Sequence, residues 1–173
     1  FSMLDLVSVL VEHCVPADVS LWTWTVAAYE VEVLGAFMAR GEIASARLVI
    51  DYGAKAKNAD IIARWRGIFG PRSVRYTVTH AKIATVAGAG LRFRCSGSMN
   101  LNHNPRYEQF ELAEGGPCFD LVRRLEDELP AFGDDAPGAD IFAAARVGEA
   151  FDAASLEPFR RLHQVRPGKR WAK

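Results

Sequence analysis

His80, Lys82, Ser98, Asn100 and Glu108 are the residues of this chain whose types and spacing could do chemistry together. Histidine can attack phosphorus, lysine and asparagine can hold the non-bridging oxygens of a phosphoryl group, and a glycine such as Gly97 lets backbone approach closely. His80-Ala81-Lys82 stands in a run rich in β-formers, where a period of two puts both side chains on one face. Gly97-Ser98-Met99-Asn100 follows a second such run. A glycine-serine turn after a strand suits an anion, because Ser98 and Asn100 bring donors to it. The chemistry expected of the set is binding or transfer of a phosphodiester, and the residue types leave those two alternatives open.

The spacing resembles the signature of the phospholipase D superfamily, H-x-K-x(4)-D with a following G-S-x-N, here present once. Skipping four residues after Lys82 lands on Ala87, so the aspartate is replaced; in the family that residue is regarded as mainly structural and does not touch the phosphoryl group. The resemblance covers roughly Ser20 to Leu129. It implies His80 as the nucleophile of a phosphohistidine intermediate, Lys82 and Asn100 as neutralisers of charge on the oxygens, and Ser98 as their support. Gly97 would complete the phosphate-binding turn. Glu108 would accept a hydrogen bond from the histidine and fix its tautomer, with Glu111 as the runner-up; the two lie an odd number of residues apart and face opposite sides of a regular strand.

The resemblance further implies a metal-independent phosphodiesterase with no cofactor, acting on nucleic acid, DNA or RNA, as small single-motif endonucleases of the family do. A half-sized chain would pair as a homodimer with one composite active site. Two other readings stand beside it: a phospholipase D-like domain that binds nucleic acid or dimerises without turnover, and a phosphodiesterase acting on lipid or other headgroups.

The elements that must position these residues are legible as periodicities. Leu4 to Val15 has helical spacing with Pro16 as its exit, and Leu21 to Val26 alternates as a strand. Tyr29 to Met38 reads as a helix ending near Gly41, and Ala46 to Asp51 as a buried strand, an order that suggests a parallel unit. Ala56 to Phe69 carries Ile61, Ile62, Trp65 and Ile68 on one side and stops at Gly70-Pro71. Val74 to Thr79 leads into a strand over His80 to Ala87, a turn at Gly88-Ala89-Gly90, and a strand over Leu91 to Ser96. Tyr107 to Ala113 alternates, and Phe119 to Leu129 is helical. The expected fold class is α/β, a phospholipase D-like half with a mixed β-sheet flanked by helices on both faces.

Residues 1–130 are expected to form that domain, and residues 131–173 a C-terminal extension. The extension comprises a Gly, Ala, Asp and Pro-rich loop, a short helix over Ile141 to Phe151, and a basic tail from Arg160 to Lys173 that includes Trp171.

The 173 residues suit one domain with a sizeable core, half of them hydrophobic and a quarter charged. Net charge is formally zero, so any attraction for a polyanion must come from local patches. Cys14, Cys95 and Cys118 are odd in number and without a C-x-x-C pair, which argues against a disulfide framework or structural zinc and for a reducing compartment. The first apolar stretch is interrupted by Asp5, Glu12 and His13, too polar for a membrane span and without the features of a secretory leader; a cytoplasmic protein with no membrane partner is expected. Trp22 and Trp24 share a face of their strand, where core packing or a dimer contact outweighs base stacking. His13 and Cys14 diverge on a helix and find no metal partners.

Overall fold

The computed structural model describes residues 2–103, 107–133 and 135–145. The Ser2 hydroxyl accepts from the Asp5 N–H while the Asp5 carboxylate accepts from the Ser2 N–H, so α1 (Met3–His13) opens on a closed capping box. It ends at Cys14, and β1 (Ala17–Thr23) follows Pro16 directly. Next come α2 (Ala28–Ala39) and β2 (Ile43–Asp51), which pairs parallel to β1 as the strand–helix–strand order implies. Two single 3-10 turns lead into α3 (Ala59–Phe69), and β3 (Val74–Thr77) runs parallel to β2. The chain then becomes an antiparallel meander of β4 (Ile83–Gly88), β5 (Leu91–Gly97) and β6 (Phe110–Glu114), followed by α4 (Gly116–Glu128) and α5 (Gly138–Ala145).

These strands form one six-stranded mixed sheet in the order β3-β2-β1-β4-β5-β6. Its parallel half and its antiparallel half meet at an antiparallel seam between β1 and β4, from Trp22 opposite Ile83 to Asp18 opposite Ala87. Ala89 and Gly90, at φ 49° and 81°, make the β4–β5 turn with the left-handed backbone that a two-residue hairpin requires.

Strand alternation sends residues to two layers. Val19, Leu21, Leu48, Ile50, Val74, Tyr76, Ala84 and Val86 bury against α1, α2, α3 and α5 in the main core. Trp22, Val49 and Ile83 face the other way, where Val122, Leu125 and Leu129 from α4 and the residue that follows it cover them. The fold is therefore α/β with helices on both faces. Among the described residues no helix is long and apolar enough to cross a membrane.

Several boundaries differ from those expected, each for a local reason. β1 starts at Ala17 rather than Leu21 and ends before Val26, because its polar residues are satisfied in place: Asp18 by Ser45 and Arg123, Ser20 by Glu126. β2 likewise begins at Ile43, ahead of Ala46. α3 begins at Ala59 rather than Ala56, since the Asp51 carboxylate accepts from Gly53 N–H and holds the chain in a tight turn. The strand expected over His80–Ala87 begins only at Ile83. The start of the C-terminal extension packs on the main core: Ile141 is fully buried, Phe132 and Ala136 lie against the cluster, and Arg66 donates to the Phe132 carbonyl at 2.7 Å. The later part of the helix expected to reach Phe151, together with the basic tail and His163, lies outside the described residues.

Candidate functional site

His80 and Lys82 lie in the extended segment that leads into β4. This end of β4 is fixed by the ladder: Gly97 N–H donates to the Lys82 carbonyl at 3.1 Å, which places the Gly97-Ser98 turn beside the His80-Ala81-Lys82 segment. His80 is exposed and Lys82 is buried at 7 % exposure. The Lys82 ammonium donates to the His80 carbonyl at 2.8 Å and stands 3.0 Å from Nδ1 and 3.2 Å from Nε2 of the same residue. An ammonium so placed lies against the His80 ring and its backbone carbonyl, and among the described residues no carboxylate is bonded to it. Burial pushes the Lys82 pKa down and the nearby Glu108 carboxylate pulls it back up.

Ser98 pins the far wall. Its hydroxyl donates to Glu108 Oε2 and accepts from Gln109 N–H at 2.9 Å, and its own N–H donates to the Gln109 carbonyl at 2.9 Å. The hydroxyl thus ties β5 to the approach of β6 and positions Glu108, while Glu111 pairs with Arg94 on β5 at 3.2 Å. Gly97 allows this closeness; a Cβ there would sit 2.0 Å from the Gln109 carbonyl oxygen.

Asn100 arrives from the loop after β5. Its Oδ1 accepts from Trp24 N–H at 3.2 Å, which leaves the side-chain amide nitrogen as the donor turned the other way. The loop itself is anchored by Leu101 N–H donating to Thr23 Oγ at 3.0 Å, and by Thr25 Oγ donating to Asn102 Oδ1 at 3.0 Å. His103 is described and exposed, whereas the neighbouring Asn104 and Pro105 lie outside the described residues.

Two residues join the site that the spacing alone did not assign to it. Trp24 lies just past the end of β1, half exposed, with its ring 5.5 Å from the His80 ring at 52°. Asp51, the last residue of β2, receives Trp24 Nε1 at 3.3 Å and Thr79 N–H at 2.9 Å, fixing both the indole and the segment that carries His80. Trp22 parts from Trp24: it is buried under α4 with its indole N–H on Glu126 at 2.6 Å. An aspartate closing a strand and a tryptophan two residues beyond a buried one were the available signals, and neither carries a spacing rule.

Ala87 stands at the far end of β4, opposite Asp18 on β1 and Arg92 on β5. Five residues of strand separate it from Lys82, roughly 17 Å. The position is thus remote from His80 and Lys82. Among the described residues no group of three or more His, Cys, Asp or Glu side chains is placed to hold a metal ion.

The arrangement brings an exposed imidazole and a partly desolvated ammonium together, with the Glu108 carboxylate near the ammonium, the Trp24 indole beside the imidazole and Asn100 bonded to the Trp24 backbone. No family model matches the sequence, and no curated protein matches it.

Proposed function

We propose that the chain is a metal-independent phosphodiesterase of phospholipase D type, acting on nucleic acid. The observation that carries the reading is the buried ammonium of Lys82, held against the exposed imidazole of His80 with no carboxylate bonded to it among the described residues. A desolvated cation without a bonded carboxylate is poised to take an anionic ligand, and the imidazole beside it is a nucleophile at hydrogen-bond range of whatever the ammonium holds. A phosphodiester fits both. His80 attacks phosphorus, the P–N bond forms as the P–O bond to the leaving group breaks, and Lys82 with the Asn100 amide neutralises the non-bridging oxygens. Water then hydrolyses the phosphohistidine. Glu108, bonded by Ser98, keeps negative charge close to Lys82 and the ammonium in its protonated form.

The departing oxygen needs a proton, and a chain with one His-x-Lys can supply a second histidine from a second copy across a two-fold axis. Trp24, half exposed against His80, offers a face on which a base can stack and supports nucleic acid as the substrate. The second reading, binding without turnover, draws its support from Ala87 at the position of the signature's aspartate.

The test is cleavage of bis(p-nitrophenyl) phosphate and of a labelled oligonucleotide in EDTA by the full chain and by His80→Ala. The expected result is EDTA-resistant cleavage that falls by about a thousandfold or more in the variant, as loss of a covalent nucleophile does. Equal rates, or activity restored only by a divalent ion, would overturn the reading.

A further inference from the structure

A cavity of about 340 Å³ opens at the other end of the sheet from His80. The His80 site sits where β1 and β2 end, at Trp24 and Asp51, whereas this cavity is lined by Asp18 and Ser45 near the starts of the same strands and by the segment before β3. Four arginines converge on it, Arg47 from β2, Arg72 and Arg75 around Ser73, and Arg123 from α4, against one lining carboxylate, Asp18.

The four are not equivalent. Arg47 pairs with Glu126 and Asp127 at 3.2 and 2.9 Å, and Arg123 with Asp18 and Glu126 at 2.8 and 3.4 Å, so these two are held rigidly by carboxylates. Arg75 has no carboxylate bonded to it: its guanidinium donates to the backbone carbonyls of Arg72 and Val74, and its Nε is shut off from solvent with no hydrogen-bond partner. Burial first, then the charges of Arg47 and Arg72, push the Arg75 pKa down, with Asp127 and Glu126 opposing them. A half-buried guanidinium crowded by two like charges and bonded to no carboxylate is a costly arrangement that the charge of a bound anion relieves.

We infer that this cavity is a second phosphate-binding site, in which Arg72 and Arg75 supply the positive charge not paired with a carboxylate and Arg47 and Arg123 the fixed positive wall. The opening admits a phosphate group, borne either by a free phosphate or by a nucleic-acid backbone. From Asp18 to Thr23 the sheet covers about five residues, ~17 Å, and a nucleic-acid strand crosses that distance with about five phosphates at ~3.4 Å of rise each. One strand can then engage both ends of the sheet, the His80 site cutting and the arginine cavity holding. The choice of a polynucleotide as bearer rests on the proposed function; the affinity of the cavity for phosphate does not.

The experiment measures binding, without turnover, of inorganic phosphate and of a labelled oligonucleotide to the full chain carrying His80→Ala, alone and together with Arg72→Ala, Arg75→Ala or Arg75→Lys. For a backbone phosphate, each alanine change weakens oligonucleotide binding about tenfold, uniformly across sequences, and lowers the slope of log K against log[salt] by about one, with Arg75→Lys retaining the slope. For a free phosphate, only the inorganic phosphate affinity falls; either pattern supports the cavity and names its source. Arg72 is exposed, so Arg72→Ala reports even where Arg75→Ala perturbs folding. Unchanged affinities and slopes for both ligands, or no binding of either, would overturn the inference. A protein that shows arginine-dependent binding yet never cleaves would refute the phosphodiesterase and leave this site standing.

Discussion

Lys82 is the residue on which the proposed chemistry turns, and its burial sets a pH dependence of known sign. Its pKa is lowered from the ordinary 10.5 because the folded chain desolvates the ammonium. Between the folded value and the unfolded one, the unfolded chain binds more protons, so stability rises with pH through that window. Activity moves the opposite way, since a neutral amine cannot balance phosphoryl charge. The alkaline limb of kcat/KM should therefore fall below the ordinary lysine range while urea midpoints rise over the same interval, and Lys82→Met should abolish both trends. Asn100→Ala should cost about 10²–10³ in kcat with the fold retained, the usual effect of deleting one donor to a developing charge. Thiol chemistry gives an independent check on the packing. Cys14 and Cys95 are buried with burial pushing both pKa values up, that of Cys95 to about 11, while Cys118 is exposed. One equivalent of a thiol reagent should react with the native chain and three after unfolding.

At the scale of elements, α4 adds one buried charged side chain to the apolar contacts of Phe119 and Val122. Glu126 is fully buried and accepts from Ser20 and the Trp22 indole, both at 2.6 Å, while facing Arg47 and Arg123. Glu126→Ala leaves two arginines and two donors without their acceptor and should cost about 3–5 kcal/mol, read from urea unfolding. Gly97→Ala should cost about 1–3 kcal/mol and disturb the site as well, because the new methyl meets backbone rather than a movable side chain. The order of helices and strands was legible because each has an apolar period: Ile62 and Trp65 on α3, and the alternation of Leu48 and Ile50 on β2, name their buried faces directly. The hairpin turn at Ala89-Gly90 was legible too. The early start of β1 was not, because Asp18 and Ser20 look like loop residues until Arg123, Ser45 and Glu126 arrive from distant parts of the chain to satisfy them. In the site, spacing pointed to His80, Lys82, Ser98 and Asn100, but Asp51 and Trp24 join it only through the lateral order of strands, which no local pattern encodes.

For the whole molecule, the proposed composite site requires two copies, and on that proposal light scattering should give about twice the 19.1 kDa chain mass. A heterodimer of wild type with His80→Ala should be strongly impaired although one motif is intact, and an active monomer would defeat the arrangement. Within one copy, the β1–β4 seam has a kinetic meaning. The hairpin between β4 and β5 closes over a handful of residues, whereas the seam joins residues about 60–70 apart, a difference of roughly 2 kcal/mol in loop-closure entropy. Contacts of such unequal range form at unequal speed, and the long-range ones wait for the rest. Trp24 and Asn100 stand on opposite sides of that seam, one after β1 and the other after β5. The candidate site therefore belongs to the last part of the sheet to close, and in rising denaturant the contact of Trp24 with His80 should loosen before the hairpin's circular dichroism is lost.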